Sequence, residues 1–360
     1  MEVKLRKLQE SALVAIATPS WLLLVLVPFL PWIAFWQGGE QGETMLQLPI
    51  LYTVTVALLI LNLLVLADDP WMGGLGLWLT LGIIVSPRGF TVEVAELFAI
   101  YSVAIVLIRK ATLTMRTWAI WLLLGGALSQ LLYSFIYQMD FLMFVTDTHG
   151  SGIEGILGIS SYLGAYLAIV APLAPLWLLP LLFAGTIMSK SVLAVLALFI
   201  GISVRFGRAG LISITVCGLA LTGIILTRPS FPSSLISRID IWNNALDLMT
   251  PLQWFVGVGP GSWIYHSQLH QWQGVTFVHA HNEFFQLFYE AGAVGLFFAF
   301  GWLWHHRKCF TGQLGGSLAS VLVCSLGLFV FHLGALSLMI VILIGLSTKG
   351  ESEWFGNTST

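Results

Sequence analysis

Late in the chain stands His279-Ala280-His281-Asn282-Glu283, a cluster of side chains able to do acid–base chemistry. Imidazole can be neutral at pH 7 and can take a proton from a hydroxyl. At the mouth of a cavity His281 suits a general base. On position alone it suits better a histidine that only hydrogen-bonds at an interface. His279, His281 and Glu283 alternate, as metal ligands can, but on a helix they point apart and no fourth ligand is evident, so no metal is expected. Glu283, Gln286 and Glu290 stand at i, i+3 and i+7 and share one helix face. Glu290 lies about 10 Å beyond Glu283 along such a helix. A carboxylate at that depth in an apolar span is either functional or held in a structural ion pair.

These residues close the only long polar break in the chain, 228 to about 282. After Pro229 and Pro232 the spacing predicts a helix over about 234–249. Leu235, Ile239, Trp242, Leu246 and Met249 form its apolar stripe, Arg238 lies off the stripe, and Thr250-Pro251 ends it. Gly257-Val258-Gly259-Pro260-Gly261 can expose backbone N–H groups to an anion or simply make tight turns. Trp263, Tyr265, His266, His270, Trp272 and Phe277 follow. Their types suit a membrane interface and also stacking on sugar rings.

The rest of the chain must position this stretch. Of 360 residues, 58% are hydrophobic and 9% charged, with net charge −2. Soluble domains carry about 25% charge, so a soluble enzyme, a disordered chain and a nucleic-acid binder are excluded. Membrane lipids are the expected surroundings. The fold class read from the apolar runs is all-α: a polytopic integral membrane protein with about 12 transmembrane helices, one span needing about 20 mostly apolar residues. They fall at about 11–36, 46–66, 73–86, 93–108, 117–138, 156–172, 174–188, 191–204, 209–227, 283–304, 315–331 and 333–347. The organisation is therefore 1–227 (nine spans), 228–282 (the long loop) and 283–360 (three spans and a tail). With the N-terminus inside, eleven of the fifteen Lys and Arg fall on the inner side, leaving Arg88, Lys190, Arg228 and Arg238 outside. That asymmetry fits the positive-inside rule and turns the long loop outward. Cys217, Cys309 and Cys324 do not suggest a disulfide framework.

From Arg238 to Gly295 the chain resembles the O-antigen ligase and polymerase family of bacterial envelope glycosyltransferases. The matching elements are Ser237-Arg238 with Trp242, then Gly257-Val258-Gly259-Pro260-Gly261, then His279-Ala280-His281-Asn282 with Gly292-x-x-Gly295 nine residues on. Weaker similarity runs upstream through Gly158 to Tyr166 and Ser189-Lys190. The resemblance implies a GT-C-like membrane fold with one long periplasmic loop, in the bacterial inner membrane, with the active site facing the periplasm. It implies metal-independent, inverting transfer of a glycan from undecaprenyl diphosphate to a hydroxyl of lipid A core, another glycan or a similar acceptor, with no cofactor. His281 would be the general base and Arg238 would bind the donor diphosphate. Lys190 stands where the family commonly has Arg; it can hold a phosphate as a point charge but lacks the bidentate fork. Near residue 158 a Gly-Asn-Pro-Asn-like element is replaced by Gly158-Ile159-Ser160-Ser161. Arg88 is a third candidate cation on topology alone, equally an interfacial anchor. His279, Asn282, Glu283 and Glu290 would support the site. A polysaccharide polymerase and a protein O-oligosaccharyltransferase share this chemistry. A transporter or flippase is the reading from a different class.

Overall fold

The computed structural model describes residues 62, 65–66, 69–85, 113–144, 160–207, 230–266, 271–272, 275–276, 279–328, 330–331 and 334–347. The expected spans at 11–36, 93–108 and 209–227, and most of 46–66, lie outside the described residues. The helices are α1 (Pro70–Val85), α2 (Leu113–Phe144), α3 (Ser160–Val170), α4 (Leu179–Met188), α5 (Val192–Phe206), α6 (Ser230–Asp247), α7 (Pro251–Val256), α8 (Ser262–Tyr265), α9 (Glu283–His305), α10 (Gly312–Ser325) and α11 (Gly334–Ser347). A 3-10 turn, Ala171–Leu173, extends α3 and another, Arg307–Cys309, follows α9. Gln271–Trp272 and Val275–Thr276 form a small antiparallel pair, Gln271 opposite Thr276.

Local chemistry sets several helix starts. Asp69 Oδ1 accepts from Met72 N at 3.1 Å, with Pro70 ideally placed in the first turn of α1. Ser191 Oγ accepts from Ala194 N at 3.3 Å and opens α5. Thr250 and Gln253 form a capping box around Pro251 at α7, which stops α6 and restarts the chain in a new direction.

Apart from the short strand pair the described elements are helical, and most of the helices are apolar. The expected spans 73–86, 117–138, 191–204 and 333–347 fall on α1, α2, α5 and α11 within a few residues, apart from a longer C-terminal end of α2. Two helices, Thr114–Ile136 within α2 and Glu283–His305, have the length and composition to cross a membrane. The expected spans at 156–172, 174–188 and 315–331 are shorter helices followed by turns.

The main core joins α2, α3, α4, α5, α10 and α11, and a second cluster, Ile241, Ala245, Met249, Trp263, Ala280 and Tyr289, joins α6 to the first part of α9. Leu123 and Leu124 of α2, Leu163 and Leu167 of α3, Leu182 of α4, Leu198 of α5, Leu318 of α10 and Leu343 of α11 belong to the main core. At its centre α5 and α10 run antiparallel along a seam of small residues. A Cβ on Gly201 would meet Gly316 O at 2.8 Å and Pro172 Cγ at 2.9 Å. The Ser320 hydroxyl lies 2.9 Å from Ala197 O and 3.2 Å from Gly316 O. Small residues let helix backbones approach, and a hydroxyl bonded to a carbonyl costs nothing extra to bury. Because the pair is antiparallel, Arg205 shares one end with Arg307 and Lys308, while Lys190 sits at the other.

α9 departs from expectation. It is not one straight span: Gly292 has φ 67 and ψ −168, non-helical values. The rings of Phe284 and Phe300, sixteen residues apart, stack at 5.7 Å. On a straight helix they would stand about 24 Å apart. The helix therefore folds sharply at Gly292 into arms of nine and thirteen residues, 283–291 and 293–305. The second arm runs against α1. Trp302 Nε1 donates to Asp69 Oδ2 at 3.1 Å, His306 Nε2 lies 2.9 Å from the same oxygen, and Trp78 Nε1 donates to Ala291 O at 2.9 Å.

Candidate active site

The site is assembled where the first arm of α9 begins. Asn282 is the N-cap, its Oδ1 accepting from Phe285 N at 3.0 Å. Glu283 in the first turn complements the positive end of the helix, and its Oε1 accepts from Phe331 N at 2.7 Å. Just before the cap, His281 adopts φ 53. A left-handed His costs about 1 kcal/mol or more, so its surroundings must hold it. They do so through Ala280. The Trp242 indole of α6 donates to Ala280 O at 2.7 Å, and Ala280 N donates to Gln286 Oε1 at 3.1 Å. Among the described residues, only Lys190 and His281 have positive φ without being glycine. Such strain tends to gather at functional sites.

Arg238 lies one turn before Trp242 on α6, half-buried. Its Nη1 donates to Gly327 O at 3.1 Å, in the turn after α10. A Cβ on Gly327 would meet Leu193 Cδ2 at 2.9 Å and Arg238 Nη1 at 3.2 Å. Leu193 lies in the first turn of α5, just after Lys190 and the Ser191 cap, so residues 326–328 and 330–331 gather Arg238, Glu283 and the start of α5. Lys190 itself is exposed. Burial lowers the Arg238 guanidinium from its ordinary value, and it remains a cation at pH 7. Burial first, and the Arg238 charge second, hold the His281 imidazole at about 4, well below its usual 6.5. The histidine is therefore neutral across the physiological range, within electrostatic reach of a permanent positive charge.

Three expectations need correction. The buried face of α6 carries Ser237, Ile241 and Ala245, continued by Met249 just past its end, with Trp242 and Leu246 half-buried, while Ile239 is exposed. The stripe is rotated from the predicted one, and Arg238 sits on its margin rather than away from it. Trp263 is not at an interface. It is fully buried, edge-on to Tyr289 at 5.3 Å and to Phe285 at 5.9 Å. The glycine loop is neither an open anion cradle nor a plain turn. Val258 N donates to Tyr289 O at 2.8 Å and Gly259 N to Glu290 O at 3.0 Å. These carbonyls flank the break in α9, where the helical ladder is interrupted. Gly257 (φ 82) and Gly292 (φ 67) face each other so closely that a Cβ on either would strike the other segment's backbone. Glycine is required at both.

The anion this loop does hold is the chain's own. Gly261 N donates to Glu290 Oε2 at 3.0 Å, and Gln286 Nε2 donates to Glu290 Oε1 at 3.2 Å. Charge-assisted bonds of this kind, about 1.5–3 kcal/mol each, offset the cost of burying the carboxylate. Glu290 is thus bound by N–H donors within the fold.

The structure brings His281, Arg238, Asn282, Glu283 and Glu290 to one end of the bundle, with Lys190 opening the adjoining helix. His279 is half-buried one residue before Ala280. Arg88, His270 and Phe277 lie outside the described residues. Among the described residues no group of three His, Cys, Asp or Glu side chains is placed to share a metal ion. Sequence reasoning missed Gly327 and Phe331, which act through backbone atoms and leave no side-chain signal beyond the smallness of Gly327.

Residues 151–300 match the family model described as O-antigen ligase. The matched segment is under half of the chain and contains Lys190, Arg238, the glycine loop, His281 and Glu290; it supports an O-antigen ligase family assignment. No curated protein matches the chain.

Proposed function

We propose that this chain, assigned to the O-antigen ligase family through residues 151–300, moves a glycan from undecaprenyl diphosphate to an acceptor hydroxyl at the periplasmic face of the bacterial inner membrane. The family match supports lipid-linked glycan transfer in general. What supports the finer reading is one arrangement: a neutral imidazole, His281, within electrostatic reach of a half-buried guanidinium, Arg238, at the same end of the bundle.

In this mechanism His281 takes the proton of the acceptor hydroxyl. The oxygen attacks the anomeric carbon, the bond from that carbon to the diphosphate oxygen breaks, and the configuration inverts. The electron pair leaves on undecaprenyl diphosphate. Arg238 and Lys190 offset its charge, which is worth most in a site shielded from water, and Arg88 is assigned to the same task from topology. Asn282, Glu283 and Glu290 hold the helix that carries the base, and His279 flanks it. No metal or other cofactor has a role in this scheme.

The acceptor defines three variants: lipid A core for a ligase, a second lipid-linked glycan for a polymerase, and a protein hydroxyl for an oligosaccharyltransferase. Product analysis separates them. A broken apolar helix is also a mark of transporters. Here the carbonyls at the break accept from Val258, Gly259 and Trp78, an arrangement that favours bracing over ion coordination. The test is transfer by the purified, lipid-reconstituted protein. Removal of a general base costs about 10²–10⁴-fold, so His281→Ala should fall in that range. Wild-type transfer by His281→Ala would refute the assignment.

A further inference from the structure

We propose that Gln286 and Glu290 form a positioning relay that sets the backbone of His281. The inference rests on His281 being the base. It assigns to two side chains buried on α9 a task that neither their burial nor their charge requires.

The relay is read from three hydrogen bonds in series. Ala280 N donates to Gln286 Oε1 at 3.1 Å, Gln286 Nε2 donates to Glu290 Oε1 at 3.2 Å, and Gly261 N donates to Glu290 Oε2 at 3.0 Å. A Gln side chain has one accepting and one donating end. Facing a carboxylate, only the donating end is tolerated there, so the accepting end must turn to Ala280. Reversing the amide would set oxygen against oxygen at Glu290 and N–H against N–H at Ala280. The carboxylate therefore selects the orientation, and the orientation fixes the peptide between His279 and Ala280. Trp242 fixes the next peptide through Ala280 O at 2.7 Å. With both peptides held and Asn282 locked as the cap on the other side, His281 keeps its left-handed φ of 53. Gln286 and Glu290 are 3% and 5% exposed, so water does not supply a substitute partner cheaply.

The chemistry gives a swap that distinguishes a relay from simple packing. In Glu290→Gln, the new amide cannot accept from both Gly261 N and Gln286 Nε2, and one donor is stranded. In Gln286→Glu, two carboxylates face each other. In the double variant Gln286→Glu/Glu290→Gln all three bonds are restored, with only the central one, between 286 and 290, reversed. The carboxylate at 286 accepts from Ala280 N and from the amide at 290, whose oxygen accepts from Gly261 N. Volumes are unchanged in all three.

The experiment measures steady-state transfer and thermal midpoints for the full-length protein in lipid, with the single variants, the double variant and His281→Ala. Expected are losses of about tenfold or more in kcat for each single variant, as for one stranded buried group. Donor KM should change less than twofold, and the double variant should recover to within about threefold of wild type. Overturning results are single variants at wild-type kcat while His281→Ala is inactive, or a double variant no better than the worse single. Lower midpoints with kcat per folded molecule unchanged would likewise overturn the relay in favour of packing alone. Full activity in His281→Ala would instead bring down the proposed function, whatever the swap shows.

Discussion

The acid limb of the transfer reaction offers the most direct check on the site. The His281 imidazole is held at about 4 against an ordinary 6.5. An unshifted imidazole is about 90% neutral at pH 7.5 and about 10% neutral at pH 5.5, a tenfold loss of base. At about 4 it is more than about 95% neutral at both. Because kcat/KM reports the free enzyme, it should be nearly flat from pH 7.5 to 5.5. A bound diphosphate offsets Arg238 and raises the imidazole, so the limb in kcat should lie at higher pH than the limb in kcat/KM. In Arg238→Gln the smaller of the two causes is removed, and the free-enzyme limb should rise yet stay below 6.5. The depressed value also bears on stability. Between pH 6.5 and 4 the unfolded chain binds the proton that the folded site refuses, so stability falls as pH falls through that window. The loss is about 1.4 kcal/mol at pH 5.5. Folded fraction must therefore be measured at each pH. A tenfold fall in kcat/KM between pH 7.5 and 5.5, with the protein still folded, would refute this account of His281.

Gly292→Ala should lower stability by about 3–5 kcal/mol, since it combines backbone strain of about 1–3 kcal/mol with loss of the bonds from Val258 and Gly259; a thermal midpoint equal to wild type in detergent contradicts the brace. Gly327→Ala meets only the ends of two flexible side chains, Leu193 and Arg238. It should raise the donor KM several-fold while the midpoint stays within about 2 °C, and an unchanged KM detaches Arg238 from donor binding. Trp242→Phe keeps the ring that stacks on Phe285 at 5.3 Å but loses the bond to Ala280 O. Its kcat should fall about fivefold to tenfold, the equivalent of about one hydrogen bond, and a wild-type kcat removes Trp242 from the positioning of the base.

Hydropathy exposed those features that depend on side-chain type over long runs. α1, α5 and α11 match their expected ranges because each is a continuous apolar run with polar or turn residues at its ends. The start of α9 was legible for the same reason, as polar residues directly ahead of such a run, whereas the capping role of Asn282 emerged only from its bond to Phe285 N. The fold in α9 was not legible. Ala291-Gly292-Ala293 sits inside an unbroken apolar stretch, and a glycine there is compatible with a helix until a second backbone is known to press on it. The rotated face of α6 escaped because Trp242 and Leu246 are half-buried, and Ser237 and Ala245 fill the centre with side chains that hydrophobic patterning undervalues. Residues 326–328 and 330–331 contribute carbonyl and N–H groups, which every sequence possesses. His281 and Arg238 could be picked out by chemistry and resemblance. That one depresses the proton affinity of the other follows only from their placement in space.

The sharp joint at Gly292 has a mechanical corollary. The nine residues of the first arm form a short strut from the Gly292 joint to Asn282 and His281: residues 257–261 hold it near the joint, and Trp242 and Phe331 hold its far end. The second arm is pinned independently to α1 through Trp302, His306 and Asp69. The imidazole is therefore located from both ends of the strut, by segments other than the one that anchors the second arm.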